Sequence, residues 1–389
     1  MSVTEPQGFR AAGVAAGLKS TGARDVAVVI NDGPHHQAAA VFTSNRVAAA
    51  PVHWSRQVVS DGRVDAVVLN SGGANACTGP QGFQNTHRTA EVAAEALGVS
   101  ASDVFVCSTG LIGEQLPMDK LLPGVNEAAA HLSDGGGRAA AEAIMTTDSV
   151  PKTATYPATQ DEPSEGYSIG GMAKGAGMLA PGLATMLVVL TTDAVLDAAV
   201  LDTALRAATR VTFDRADSDG CMSTNDTVVL LASGASGVRP DPAQFTEALT
   251  GVCSSLAHQL IEDAEGASHT IAIRTINAAT EEDAETAGRA VARSNLFKAA
   301  IFGNDPNWGR VLAAVGTTDA VFEPDRLDVA INAVQICRDG GIGEPRELVD
   351  LTARLVTVEI NLNAGSESAT IWTNDLTHDY VHENSAYSS

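Results

Sequence analysis

Short apolar runs rich in valine and isoleucine recur along the chain, and several of them are apolar on both faces. This uninterrupted pattern is typical of strands that are covered on both sides, since a half-exposed strand alternates between apolar and polar positions. The runs lie at Asp25–Ile30, Val64–Leu69, Val104–Cys107, Met186–Leu190, Val228–Leu231, Thr270–Ile273, Leu327–Ile331 and Leu355–Leu362. We therefore predict β-strands at these positions, many of them deeply buried.

Alanine-rich segments with apolar residues at helical spacing lie between the predicted strands. They are Thr86–Leu97, Arg138–Ile144, Leu196–Ala208, Phe245–Ala264 and Glu281–Phe297. An amphipathic helix buries its apolar stripe against another element, and here the neighbouring elements are strands. The pattern predicts a mixed α/β fold in which helices cover sheets, and the sequence contains no internal repeat.

Two adjacent segments interrupt this periodicity. Pro151–Gly166 is rich in Pro, Thr, Glu, Asp and Ser, and it is predicted to be an exposed loop at the best candidate break in the chain. Ser168–Thr185 then places five glycines and one proline directly before the predicted strand at Met186–Leu190. Glycine at this density costs chain entropy, so it indicates a local need for positive φ or close approach. A functional site is expected in such a loop, held by a rigid strand.

Composition and charge narrow the class of protein. Hydrophobic residues make up 44% of the 389 residues and charged residues 18%, the balance of a folded protein and not of a disordered one. The chain has 24 basic and 47 acidic residues, and its formal net charge is −23. A surface with this excess of carboxylates repels phosphate backbones and anionic lipids, so neither nucleic acid nor a membrane surface is an expected partner.

The cysteines and the first residues of the chain indicate the cellular compartment of the protein. Five cysteines, an odd number without any C-x-x-C pair, argue against a disulfide framework and against a zinc site. The first residues lack the basic start and apolar stretch of a signal peptide, and no run of about eighteen apolar residues occurs. We therefore expect a protein of the reducing cytoplasm that is neither exported nor membrane-spanning.

Common binding and catalytic motifs do not fit the chain. The glycine-rich segment matches neither a P-loop nor a G-x-G-x-x-G that opens a helix. Asp217–Gly220 begins like a calcium loop, but Val228 stands where an EF-hand needs its glutamate. His378 and His382 have the spacing of two metal ligands, yet without an adjacent glutamate they are expected to be polar surface residues. No G-x-S-x-G motif indicates a serine triad.

A threonine at the end of the glycine-rich segment offers different chemistry. Thr185 follows the small residue Ala184 and leads into the predicted strand, with Lys174 upstream. Taken alone, Thr185 is either a β-branched residue that begins a strand or the residue released by self-cleavage of the Ala184–Thr185 bond.

Around this threonine, residues 174–193 read KGAGMLAPGLATMLVVLTTD and resemble the signature of the bifunctional glutamate N-acetyltransferase/ornithine acetyltransferase family of arginine biosynthesis. Seven further segments resemble the same family and follow in family order over essentially the whole chain. They are Asn70–Gly79, Cys107–Gly113, Ile144–Asp148, Ser223–Thr227, Asp263–Gly266, Asp305–Arg310 and Glu383–Ser389. Each motif is short, but eight in order indicate membership of the family.

The resemblance implies that the precursor cuts itself before Thr185. The products would be an α fragment of residues 1–184 and a β fragment of residues 185–389, interwoven in one folded unit. The freed threonine would be the nucleophile, with its own α-amino group as the base. Since the reference pKa of an α-amino group is about 7.7–8.0, a useful fraction is unprotonated near neutral pH, and no histidine is needed.

The resemblance also implies roles for other residues. Thr109 and Gly110 would form the oxyanion hole, although they also suit an ordinary turn after a strand, and Asn70–Gly79 is expected to turn close to them. A lysine for the carboxylate and a glutamate for the cationic end match acetylornithine. The residues expected to contact the amino-acid substrate are Thr146, Thr147, Lys174, Thr185, Glu265, Asn384 and Ser389.

The fold implied by the resemblance is an α/β/β/α sandwich with a smaller α/β lobe, assembled as α2β2 without metal or organic cofactor. The implied activity transfers acetyl from N-acetylornithine to glutamate through an acetyl ester on Thr185, and use of acetyl-CoA as a second donor stays open. Two alternatives are an N-terminal-nucleophile aminopeptidase or amidohydrolase on the same scaffold and a non-catalytic amino-acid-binding protein. The chain departs from the family pattern at Gly182, Leu183, Ser268 and His269, and the histidine is expected to affect substrate affinity and its pH dependence.

Overall fold

A computed structural model describes residues 2–157, 166–178 and 186–386 of the chain. The described residues form fifteen strands: β1 (Phe9–Val14), β2 (Val26–Asn31), β3 (Gln37–Phe42), β4 (Ala66–Asn70), β5 (Val104–Ser108), β6 (Lys152–Tyr156), β7 (Ile169–Lys174), β8 (Leu187–Thr192), β9 (Thr227–Ala232), β10 (Thr270–Ala278), β11 (Asp328–Ile331), β12 (Val334–Arg338), β13 (Gly341–Ile342), β14 (Leu355–Asn361) and β15 (Glu367–Asn374).

The described residues also form ten α-helices: α1 (Ala50–Val58), α2 (Gly79–Leu97), α3 (Met118–Ala130), α4 (Gly137–Ala143), α5 (Ala198–Val211), α6 (Pro242–Glu262), α7 (Glu281–Ala292), α8 (Asn295–Phe302), α9 (Trp308–Val315) and α10 (His378–Ala386). None of them, within the described part of the chain, has the length and apolar character needed to span a membrane.

Two sheets pack face to face and form the main body. One has four strands in the order β1-β2-β4-β5, and the other has five in the order β3-β9-β8-β7-β6. Their facing sides share one apolar core, to which Val67 and Phe105 of the first sheet and Val189 and Val229 of the second contribute. Helices α2 and α3 cover the outer face of the first sheet, and α5 and α6 cover that of the second. The predicted α/β/β/α sandwich is therefore confirmed.

A second α/β unit forms the smaller lobe. Its six-stranded sheet has the order β13-β12-β11-β14-β10-β15, and α7, α8 and α9 pack on one face of it around a separate apolar core. Backbone contact between Ala216 and Trp372 joins the lobe to the main body. The predicted smaller lobe is therefore also confirmed.

The register of the five-stranded sheet brings three strand ends together. Strand β7 runs antiparallel to β8, and β9 runs parallel to it. As a result Lys174, Leu187 and Thr227 lie side by side across the sheet. A slip of one residue would turn every side chain to the opposite face, so the buried cores on both sides fix this register. The residues that adjoin these three positions therefore lie together at one end of the three strands.

Several sequence predictions need correction. The proposed exposed loop Pro151–Gly166 is wrong for Lys152–Tyr156, which is the edge strand β6. The proposed glycine-rich loop is wrong for Ile169–Lys174, which is the buried strand β7. Both strands form because each finds a pairing partner, and pairing between distant segments overrides a weak local preference. Residues 158–165 and 179–185 of these two predictions lie outside the described residues.

The predicted single helix Glu281–Phe297 is two helices in the structure. The chain leaves the helical path after Ala292, and Ser294 starts the next helix by accepting a hydrogen bond from the N–H of Phe297 at 3.3 Å. Serine favours this capping position because its hydroxyl satisfies a free N–H of the first turn. The apolar spacing continues across the break, which is why periodicity alone does not reveal it.

Candidate active site

A cleft opens where β7 ends and β8 and β9 begin. The described residues that line it are Ala74, Thr109, Gly110, Ile112, Thr146, Thr147, Lys174, Gly177, Met178, Ser223, Thr224, Asn225, Glu265 and Asn384. They include each described residue for which the sequence predicted an oxyanion or substrate role. Ala184, Thr185 and Ser389, which were also predicted to belong to the site, lie outside the described residues.

Lys174 ends the buried strand β7 and has only 1% of its surface exposed. Its ammonium group donates to the hydroxyl of Thr146 at 2.7 Å and to that of Thr109 at 3.3 Å. Burial lowers the pKa of Lys174, while the carboxylates of Asp148 and Glu265 act in the opposite direction. The lysine is thus a buried cation held between two predicted site residues, and it is not a solvated surface charge.

The predicted oxyanion residues lie in a tight loop after β5. The N–H of Thr109 donates to the carbonyl of Asn70 at 2.9 Å, and the N–H of Gly73 donates to the carbonyl of Thr109 at 3.0 Å. Gly110 has a φ of +124°, and a Cβ there would lie 2.8 Å from the nitrogen of Gly73. Only glycine fits this conformation and this close approach. The turn predicted at Asn70–Gly79 therefore packs directly against the predicted oxyanion loop.

Asp148 ties two walls of the cleft together. Its Oδ2 accepts the N–H of Thr146 at 2.9 Å, and its Oδ1 accepts the N–H of Gly175 at 2.6 Å. Burial by itself would raise the pKa of Asp148, but the ammonium groups of Lys174 and Lys152 and the N–H of Gly175 lower it to about 2. The carboxylate is therefore ionised at neutral pH, and it holds the segments of Thr146 and Lys174 in place.

Lys152 extends this contact to a third wall. Its ammonium group lies 2.6 Å from Oδ1 of Asp148 and 2.5 Å from Oδ2 of Asp263. Asp263 also accepts the N–H of Ser149 at 3.0 Å, and it precedes the cleft residue Glu265 by two positions. Lys152 was not among the predicted site residues, because it lies in a segment predicted to be an exposed loop. Asp148 could have been predicted to lie near the site, because it is the last residue of the family motif Ile144–Asp148.

Glu265 and Asn384 also line the cleft, and they contact each other. The side-chain amide of Asn384 donates to Oε2 of Glu265 at 3.0 Å, and the N–H of Glu265 donates to the carbonyl of Ala176 at 2.9 Å. A Cβ at Gly177 would lie 2.5 Å from Oε2 of Glu265, so a side chain at that position would displace the carboxylate. Helix α10 therefore contributes to the cleft through Asn384.

Two aspartates hold the backbone on either side of residues 179–185. The N–H of Met178 donates to Oδ2 of Asp219 at 2.7 Å, and the N–H of Met186 donates to Oδ1 of Asp226 at 3.0 Å. The amide of Asn225 donates to the carbonyl of Ser108 at 2.8 Å and so joins this region to the strand that leads to Thr109. These aspartates and Asn225 were not among the predicted site residues, although Asn225 and Asp226 belong to a family motif.

Two departures from the family pattern lie away from the cleft residues. The Nδ1 atom of His269 lies 2.9 Å from Oδ2 of Asp375, and its Nε2 lies 3.0 Å from the carbonyl oxygen of Leu351. The N–H of Ser268 donates to the same aspartate. The structure thus places His269 in a buried polar contact with Asp375 and leaves Ser268 exposed beside it, and neither residue lines the cleft. Gly182 and Leu183 lie outside the described residues.

Metal binding has no support among the described residues, where no group of three or more His, Cys, Asp or Glu side chains is arranged to hold an ion. The ring of His378, one of the two histidines considered for such a site, packs edge-on against Phe302 at a centroid distance of 5.3 Å.

The four-layered sandwich, with its cleft at the ends of β7, β8 and β9, defines a protein of the α/β/β/α class. The model of the ArgJ family matches residues 10–389. The arginine biosynthesis bifunctional proteins ArgJ of Streptomyces coelicolor and Thermobifida fusca are each 66% identical to the chain over 389 residues, with 100% of both chains covered. The chain belongs to the ArgJ family.

Solved structures are also similar to the chain. Ornithine acetyltransferase from Mycobacterium tuberculosis, solved in complex with ornithine, is 54% identical, covers 48% of this chain and 96% of its own, and has a TM-score of 0.44. The bifunctional argJ protein of Bacillus halodurans is 36% identical, covers 51% of this chain and 97% of its own, and has a TM-score of 0.49. By its family membership, this protein is an acyltransferase of arginine biosynthesis, and the hydrolase and non-catalytic alternatives are not favoured.

Proposed function

We propose that the protein transfers the acetyl group of N-acetylornithine to glutamate through an acetyl ester on Thr185, producing ornithine and N-acetylglutamate. The observation that carries the proposal is the cleft beside Met186, where the buried ammonium of Lys174 and the carboxylate of Glu265 line one space. An amino acid with a carboxylate and a second, cationic end matches this pair of charges.

The proposal requires self-cleavage before Thr185, because only a free α-amino group can serve as the base for the hydroxyl of the same residue. The α fragment of residues 1–184 would contribute β3, β6 and β7 to the five-stranded sheet, and the β fragment of residues 185–389 would contribute β8 and β9. Since β8 and β9 pair with strands of the α fragment, the two fragments would stay interwoven after cleavage. We propose that two such pairs assemble as α2β2.

Each residue then has a defined part in acyl transfer. The Thr185 hydroxyl attacks the acetyl carbonyl while its α-amino group takes the hydroxyl proton, and the same proton later passes to the departing ornithine nitrogen. Thr109 and Gly110 would stabilise the developing oxyanion. The α-amino group of glutamate next attacks the acetyl ester. The new N–C bond replaces the bond between the acetyl carbon and the Thr185 oxygen, and a proton passes from the glutamate nitrogen to that oxygen through the threonine α-amino group. Nucleophile, base and oxyanion donors all come from the chain, so the scheme uses no metal or organic cofactor, and acetyl-CoA would be a second acetyl donor to the same threonine.

Mass spectrometry tests the covalent scheme directly. Intact wild-type protein should show a β fragment that starts at Thr185, and a quench with N-acetylornithine alone should add one acetyl group to that fragment. Thr185→Ala should remain one chain without activity.

Steady-state kinetics test the order of the two steps. Reaction rates measured at several glutamate concentrations should give parallel double-reciprocal lines, because ornithine leaves before glutamate enters. An active uncut wild-type protein, or intersecting lines with an unmodified β fragment, would contradict the proposal.

Assays with N-acetylornithine and with acetyl-CoA as alternative donors define how broad the activity is. Transfer from acetyl-CoA to glutamate would make the protein bifunctional, as its curated relatives are named. Release of free acetate at the same rate with and without glutamate would instead identify a hydrolase.

A further inference from the structure

The loop of residues 15–25, between β1 and β2, packs against the turn that supports the predicted oxyanion loop. The carboxylate of Asp25 accepts the N–H groups of Leu18 at 2.6 Å and of Lys19 at 3.0 Å, so this loop has a fixed shape. A Cβ at Gly72 would collide with the Cβ of Leu18, which shows how closely the loop approaches the turn. Lys19 is therefore held by its backbone at a defined distance from the cleft.

The ammonium group of Lys19 reaches the peptide group that precedes Thr146. It donates to the carbonyl of Met145 at 2.6 Å and to that of Arg24, in its own loop, at 2.8 Å. The N–H of the same Met145–Thr146 peptide group donates to Oδ2 of Asp148 at 2.9 Å. This peptide group is thus held at both of its polar atoms, by a cation at its oxygen and by a carboxylate at its nitrogen.

The charge of Lys19 also acts on charged groups at the cleft. Burial lowers the pKa of Lys19, the carboxylates of Asp25 and Asp148 oppose this effect, and the ammonium of Lys174 adds to it. Lys174 lines the cleft, and Asp148 holds the backbone of both Thr146 and Gly175. Lys19 therefore interacts with the cleft from behind its wall, although it is not among the described residues that line it.

The orientation of Thr146 matters because its hydroxyl lines the cleft. This hydroxyl accepts a hydrogen bond from the ammonium of Lys174 at 2.7 Å. A hydroxyl has one O–H to donate besides the lone pairs with which it accepts, so the proton of Thr146 points away from the ammonium group. A substrate carboxylate would accept from Thr146 and Lys174 together. A rotation of the peptide group before Thr146 would turn this pair of donors out of place.

We propose that Lys19 is a positioning residue that presets Thr146, and through it Lys174, for the carboxylate of the amino-acid substrate. This inference deepens the proposed function and rests on it. Lys19 acts through the Met145–Thr146 peptide group and not by contact with the substrate. Without the ammonium at the carbonyl of Met145, the segment adopts the binding arrangement for only part of the time, and the apparent affinity falls by that fraction.

The substitution Lys19→Met tests this role because it keeps the length of the side chain and removes the donor. KM for N-acetylornithine should rise at least fivefold while kcat of the cut protein stays within twofold, since the ground state and the transition state lose the same preset contact. Incomplete self-cleavage does not imitate this result, because the uncut fraction lowers the rate but leaves KM unchanged. Lys19→Arg restores a charged donor and should return KM to within twofold of wild type.

Lys120→Met is the matched control, because Lys120 donates to the carbonyl of Gly17 at 3.0 Å in the same loop. Its KM should stay within twofold of wild type. Combining Lys19→Met with Thr146→Val should raise KM by clearly less than the product of the two single fold-changes, because both changes disable the same hydroxyl. An unchanged KM for Lys19→Met, an equal rise for Lys120→Met, or a double variant at the full product would overturn the inference.

Two further measurements keep the outcome decisive. If thermal unfolding shows that Lys19→Met does not fold, Lys19→Gln is measured in its place, and its shorter, uncharged side chain should give the same rise in KM. A wild-type protein that transfers no acetyl group from N-acetylornithine would defeat the proposed function itself. An active wild type beside a Lys19→Met variant with unchanged KM would defeat only the role of Lys19.

Discussion

The ammonium group of Lys152 lies 2.6 Å from Oδ1 of Asp148, and neither side chain has any exposed surface. The same carboxylate lies 3.9 Å from the ammonium group of Lys174, and Lys152 also contacts Asp263. Two cations thus alternate with two carboxylates in the interior, where an unpaired charge would be costly. This row of charges connects the lysine of the cleft to the segment that carries Glu265.

Replacing Lys152 by Met should destabilise the protein strongly. The change leaves Asp148 and Asp263 without their shared cation, and breaking a buried ion pair typically costs about 3–5 kcal/mol. Urea unfolding of the variant should show this loss. Arg206→Gln is the control, since Arg206 pairs with Asp202 at 2.9 Å on the exposed face of a helix, where the loss should be below about 1 kcal/mol. Equal losses in the two variants would contradict the assignment.

The stability conferred by Asp148 should depend on pH. Its pKa is about 2 in the folded protein against an ordinary 3.8, so the folded state binds this proton more weakly than the unfolded state does. The contribution is complete above pH ~4 and is lost as the pH falls through about 2. The difference in unfolding free energy between wild type and Asp148→Asn should therefore shrink by roughly 2 kcal/mol between pH ~5 and ~2. A difference that is constant over this range would rule out the titration of Asp148 as its source.

Thr109 should act through its hydroxyl. Thr109→Val keeps the shape but removes the oxyanion donor, so kcat should fall on the order of 100-fold with little change in KM. Thr109→Ser restores the hydroxyl and should recover most of the rate. Both variants must first be shown by mass spectrometry to be cut before Thr185. If the Val variant, once cut, works at the wild-type rate, the loop is an ordinary turn.

Lys174 should contribute mainly to substrate binding. Lys174→Met removes a charge-assisted contact of roughly 1.5–3 kcal/mol, so N-acetylornithine should bind at least about tenfold more weakly. Lys298→Met is a control of similar character, because Lys298 is also buried but lines a different cleft. Binding is measured by calorimetry on processed protein. Similar losses in both variants would point to general destabilisation instead of a contact with the substrate.

The buried strands of the sandwich could be predicted from the chain because their apolar character is local. The run at Val64–Leu69, for example, is a strand at Ala66–Asn70, and the run at Val228–Leu231 is a strand at Thr227–Ala232. Strands β6 and β7 escaped prediction, since polar residues in one and glycines in the other hide the pattern until their partners are present. Their pairing joins segments whose preference for a strand is weak in isolation.

For the site, the amino-acid sequence supplies the residue types: a threonine after a glycine-rich segment, a Thr-Gly pair after a strand, and a lysine and a glutamate far apart in the chain. Folding is what brings Thr109, Lys174 and Glu265 to one cleft, because strand register and parallel pairing act between segments that are distant in sequence. Burial likewise belongs to the folded state alone. It makes Asp148 and Lys152 a paired buried unit, since a charge becomes costly only where packing has excluded water.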